Sequence, residues 1–174
     1  MDIGAHPSSR ATASDAVRLA RELYGLKARL SPLPSEYDDN FLAETSNGVI
    51  RVLKVMHPMR DAGFVDLQCA ALKTLAEKDP GLPVPAVVPD RSGRAWSTAS
   101  VVGGPSRLVW MLTYLEGRPI AGVRPVTSGL LEELGTTLAR LDLALTGFAH
   151  PSARRELKWD LTRAGWIREH LGLI

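Results

Sequence analysis

A single cysteine in 174 residues rules out an internal disulfide. Cys69 falls inside an apolar helical pattern, the setting of an inert core thiol, which fits a reducing compartment and a cytoplasmic protein. No apolar run approaches the length needed to span a bilayer, and the opening MDIGAHPSSRATAS has no apolar signal core, so neither a membrane partner nor a secretory leader is expected. Charge of one sign is also scarce. The net charge is only +2 with Lys and Arg spread along the chain, which leaves no basic stripe for nucleic acid and no polybasic anchor. What remains is 45% hydrophobic and 23% charged, with 15 Gly and 12 Pro, an ordinary globular composition. The length suits one domain followed by the beginning of another.

Residues 1–11 read as a flexible lead. Thr12 with Asp15 resembles a capping box, and Ala16, Ala20 and Leu23 recur at helical spacing up to Gly25. Strands follow at 27–33, 41–45 and 49–56, the last two joined by a two-residue Asn47-Gly48 turn that would set Glu44 opposite Arg51. Phe64, Leu67, Ala71 and Leu75 mark a helix over 62–78, stopped by Asp79-Pro80-Gly81. LPVPAVV is a proline-stiffened connector, and strands near 94–101 and 107–115 complete five. Beyond Gly117 the pattern turns helical. Leu130, Leu134, Leu138, Leu141 and Leu145 form one stripe over 127–146, and a second helix over 157–171 carries Trp159 and Trp166.

Within the third strand, Ile50, Val52, Lys54 and Met56 share a face, so one ammonium sits among apolar neighbours. A buried lysine without an anion is costly; it snorkels at an edge, shifts its pKa, or is paired.

The ordered series RELYGL, PLPSEYDDNFL, VLKV, DLQCAALKTLA, LPVP, LTYLEGRP, LARLDLAL and WDL resembles the aminoglycoside phosphotransferase and hydroxylysine kinase family. It is similar, more narrowly, to the phosphotransferase domain at the front of some fused class III aminotransferases. The resemblance implies an α+β fold: a kinase-like N-lobe over 12–116, with a five-stranded antiparallel sheet and one crossing helix. Residues 117–174 would be the connector and the first helices of an incomplete C-lobe. Lys54 matches the lysine that bridges nucleotide phosphates in this family, which would supply the missing anion. Val52 would press on the adenine ring; by itself it reads equally as core. SEYDDNF takes the place of the phosphate-covering loop but has no glycine, so Ser35, Asp39 and Asn40 would assist with side chains, and Asn40 matches the loop asparagine. Adjacent Asp38 and Asp39 lack ligand spacing, and no metal is assigned to them.

Gln68 stands where the family carries the helix carboxylate that holds the lysine, with Asp66 on a different helix face. Thr113 and Leu115 would read the adenine edge with backbone groups, with Leu112 behind the pocket. No His-x-Asp with a following asparagine occurs, and neither Asp142 nor Asp160 replaces it, so no catalytic residue is assigned. The resemblance therefore implies the ATP- or GTP-binding portion of a kinase for a small aminated hydroxyl substrate. Magnesium is expected only in a complete parent enzyme. A non-catalytic, pseudokinase-like binding or interaction module of a larger enzyme stays open. The leucine and tryptophan stripes, lacking further helices to cover them, predict a homodimer built from the region after Gly117.

Overall fold

The computed structural model describes residues 10–155 and 160–173, with residues 163 and 173 described by backbone alone. Residues 1–9 of the expected lead and Trp159 lie outside that range.

Helix α1 (Ala13–Tyr24) begins as its sequence predicts. The Thr12 hydroxyl accepts from Asp15 N–H while the Asp15 carboxylate accepts from Thr12 N–H, and Gly25 closes the helix at φ 64°. Strands β1 (Ala28–Leu33), β2 (Asp39–Thr45) and β3 (Ile50–Val55) form an antiparallel meander. The β2–β3 turn is one residue longer than expected. Thr45 N–H donates to Val49 O and Gly48 N–H to Thr45 O, so Ser46, Asn47 and Gly48 make a three-residue loop with Gly48 at φ 82°. The register shifts by one: Arg51 faces Ala43, Glu44 faces Ile50, and Glu44 pairs instead with Arg29 across β1.

Helix α2 (Ala62–Lys78) is capped by Asp61, whose side chain accepts from Phe64 N–H, and it ends at the expected Asp79. The connector contributes a sixth strand, β4 (Val87–Val88). Pro83, Pro85 and Pro89 have no N–H to donate, so pairing is confined to the residues between the last two. Strands β5 (Trp96–Ser100) and β6 (Ser106–Thr113) complete the sheet. Its order is β1-β2-β3-β6, and the far edge of β6 is shared by β5 along Ser106–Trp110 and by β4 at Met111 and Leu112.

Strand alternation sends Phe41, Ala43, Leu53, Val55, Val109 and Met111 to one face, where they bury Ala16, Leu19 and Ala20 of α1. The opposite face presents Trp110, with Leu108 and Leu112, to Val65 and Cys69 of α2. Each sheet face thus carries a helix. At roughly 25 cal/mol per Å² of apolar surface removed from water, burial in both layers stabilises the fold.

Helix α3 (Ser128–Ala144) docks only by its C-terminal end, where Leu141, Ala144 and Leu145 meet Leu75 and Leu82. Arg140 bonds both Asp79 carboxylate oxygens at 2.7 and 2.8 Å, and Lys78 donates to Thr146 O. The earlier leucines of the predicted stripe are not packed in this way; Leu134 and Leu138 are exposed. The expected second helix is also different. Leu161–Leu173 adopts 3-10 geometry, and its three-residue turn gathers no apolar stripe, leaving Trp166 45% exposed.

Candidate phosphate-binding site

Lys54 lies on the α2 side of the sheet, flanked in register by Asn40 on β2 and Trp110 on β6. Its Nζ is 5.7 Å from the Trp110 ring centroid, near enough for a cation–π contact. Among the described residues it makes no hydrogen bond and no ion pair within 4 Å. Burial pulls its pKa below that of free lysine; Asp38 opposes the fall and the positive Arg60 adds to it. This is a half-buried cation facing no immediate counter-ion, an arrangement that an arriving anion stabilises.

Around it the structure gathers some of the expected residues and leaves others apart. Asn40 is directly opposite Lys54, and its Oδ1 is buried without a hydrogen-bond partner. Val52, two positions along the same face, is half-buried and faces Leu42 on one side and Leu112 on the other. Ser35 sits in the loop before β2, half-buried. Gln68 does not reach Lys54. Its Nε2 donates back to Phe64 O of its own helix at 3.0 Å, as a side chain four residues on can do. Asp66 faces away and meets His150 Nε2 at 3.2 Å. Thr113 N–H and hydroxyl are both engaged with Ala86, the N–H donating to its carbonyl and the hydroxyl accepting from its N–H. Leu115 stands 47% exposed just beyond β6.

Asp39 takes no place on this face. It points to the α1 side, where its carboxylate accepts from Ala11 N–H, Arg10 and Arg107. Alternation along β2 makes this unavoidable once Asn40 faces Lys54. Two neighbours went unread in the sequence, Trp110 and Arg60, and a third, Asp38, was weighed there only as a metal ligand. Asp38 Oδ1 accepts from His57 N–H at 2.7 Å and lies 3.5 Å from Arg60 Nε. Trp110 was legible only as part of an apolar run, because strand pairing alone brings it beside Lys54. Among the described residues no three His, Cys, Asp or Glu side chains converge as a metal site.

An antiparallel sheet with a helix across the face that carries a third-strand lysine is a kinase-like architecture, from which the unpaired state of Lys54 is a departure. Residues 29–172 match the phosphotransferase enzyme family, and the chain belongs to that family. It is 30% identical to hydroxylysine kinase from Mus musculus over 180 residues, covering 94% of this chain and 47% of that protein. The hydroxylysine kinase of Danio rerio is likewise 30% identical, covering 92% and 47%. The chain thus spans about half the length of the curated relatives it matches. Two solved structures share the fold. One is the amicoumacin kinase hAmiN in complex with AMP-PNP, Ca2+ and Ami, with TM-score 0.66, 16% identity, and coverage of 85% of this chain and 45% of that one. The other is the microcompartment-associated aminopropanol kinase, with TM-score 0.62, 21% identity, and coverage of 84% and 45%.

Proposed function

We propose that this chain is the nucleotide-binding part of a small-molecule kinase that phosphorylates a hydroxyl of an aminated substrate, with ATP or GTP as donor. The observation that carries the reading is Lys54: a half-buried ammonium of lowered pKa, without a paired carboxylate, beside a buried Asn40 carbonyl that has no partner. A bound nucleoside triphosphate supplies the phosphoryl group. The chain's own residues hold its phosphates at Lys54 and its base against Val52, under the α2 face of the sheet, while Thr113 and Leu115 border the base edge.

Catalysis of phosphoryl transfer is chiefly positioning and charge stabilisation, and no residue here is assigned as base or metal ligand. The reading therefore gives this chain binding without turnover of its own. A small aminated alcohol as acceptor is supported by the hydroxylysine and aminopropanol kinases among its relatives and neighbours. A cytoplasmic setting is supported by its single thiol, Cys69, which burial and then the nearby Asp66 push up to about 11, away from reactive range. Among the described residues no helix is long and apolar enough to cross a membrane.

The Gln68 amide bonded to its own helix favours a second reading, a pseudokinase-like module that binds nucleotide without being built for transfer. Calorimetric titration with ATP and GTP tests the shared core of both readings. Lys54→Ala is expected to weaken binding about tenfold or more, the loss of one charge-assisted contact. Equal affinity of the two proteins would remove the phosphate role from Lys54.

A further inference from the structure

A loop that covers phosphate with glycine backbone N–H groups adds donors to the strand lysine, but the loop before β2 reads PSEYD over 34–38 and has no glycine. Those donors must then come from elsewhere. Arg60, in the turn between β3 and α2, is placed to supply them. Its guanidinium carbon lies 4.3 Å from the Phe64 ring centroid and 6.0 Å from that of Tyr37, so aromatic faces support the group without using up its N–H donors. Its Nε is buried, makes no hydrogen bond, and stands 3.5 Å from Asp38 Oδ1. That is a loose contact, and the Asp38 oxygen involved already accepts from His57 N–H. Arg155, the other guanidinium over Phe64, is spoken for by Asp61 at 2.7 Å.

Asp38, which stands 3.5 Å from Arg60 Nε, lies two residues before Asn40, the residue opposite Lys54, so Arg60 and Lys54 flank one stretch of chain; Arg60 adds to the fall in the Lys54 pKa and Asp38 opposes it. Like charges kept together at a cost mark a place where an anion relieves them. We propose that Arg60 is a second phosphate-binding cation of the nucleotide site, working beside Lys54 in place of the backbone donors of a glycine-rich loop. The proposal rests on the reading of Lys54 as the phosphate-binding lysine.

Titrations of the whole chain with ATP and with adenosine, followed by its tryptophan indole NMR signals, separate the outcomes for wild type, Arg60→Gln, Arg60→Lys and Lys54→Ala. Arg60→Gln is expected to weaken ATP roughly tenfold while leaving adenosine unchanged, and Arg60→Lys to stay within about threefold of wild type. Unchanged ATP affinity in Arg60→Gln, with the loss intact in Lys54→Ala, would overturn the role of Arg60 and spare that of Lys54. Equal weakening of ATP and adenosine would overturn it too, showing Arg60 to be a clamp on Tyr37 and Phe64. ATP affinity indifferent to both residues would remove the phosphate site, and this inference with it.

Discussion

Arg107 and Asp39 meet where neither is exposed by more than 5% of its side chain, and each of the three guanidinium nitrogens makes a hydrogen bond. Arg107 Nη1 bonds Asp39 Oδ2 at 2.7 Å, Nη2 bonds Val55 O at 3.0 Å, and Nε bonds Met56 O. Asp39 also holds Arg10 and the Ala11 N–H, so one carboxylate ties the approach to α1 to the end of the sheet. Removing a single partner from such a pair strands a buried charge, a loss of about 3–5 kcal/mol. Asp39→Ala is therefore expected to lower the urea midpoint sharply, and a near-neutral result would show that Arg107 finds water. The pH dependence has a definite sign. Burial raises the Asp39 pKa, but the Ala11 N–H, Arg107 and Arg10 outweigh it and hold the carboxyl below its usual value. Asp90 behaves alike, with burial overcome by Ser97 and Arg94 to about 2. A depressed folded pKa gives stability that is complete above the unfolded value near 3.9 and is lost as pH falls through the folded one. Denaturation midpoints measured from pH 5 to 2 should fall over that window, and less steeply in Asp39→Asn. None of this was legible in the sequence, since two adjacent aspartates do not disclose which of them turns inward.

The β2–β3 hairpin shows how far local signals reach. Asn47-Gly48 correctly marks the reversal, and the strands on either side follow from their alternation. Loop length is decided by which backbone groups close the turn, and the Thr45 to Val49 closure adds a residue to it. That single residue exchanges the faces of β2 relative to β3: the expected register would set Phe41 opposite Lys54, whereas the observed one sets Asn40 there and turns Asp39 toward α1. Gly48 occupies the left-handed region at φ 82° with open space where a Cβ would stand. Gly48→Ala should thus cost about 1 kcal/mol through backbone strain alone. Thermal melting checks it, and a loss several times larger would mean that the hairpin register itself had moved. The boundaries of α1 and α2 were readable for the same local reason: a side chain caps each start, and Gly25 and the Asp79-Pro80 pair stop each end.

Across the whole molecule, apolar surface is unevenly satisfied. Both sheet faces are covered, whereas Leu131, Leu134 and Leu138 of α3 stand 54%, 43% and 54% exposed. Exposed apolar stripes of this kind favour association, and two-fold pairing closes with one self-complementary patch. A preparation of these 174 residues is expected to self-associate at micromolar concentration, measured by light scattering, and the pair Leu134→Glu and Leu138→Glu to return it to a monomer. A wild-type monomer at that concentration would refute the pairing.

Periodicity, capping residues and turn chemistry act over a few neighbouring residues, so the sequence by itself determined the helices at 13–24 and 62–78, five of the six strand segments, and the odd lysine among apolar neighbours. Its ordered motifs also carried the family. The tertiary structure decided what lies beside that lysine. Trp110 is 56 positions away, and only strand pairing brings it beside Lys54; Arg60 belongs to a separate turn, where the packing of α2 sets it over Phe64 and near Asp38. It also decided that Gln68 turns back on its own helix, because a side chain chooses among partners only once the backbone has placed them.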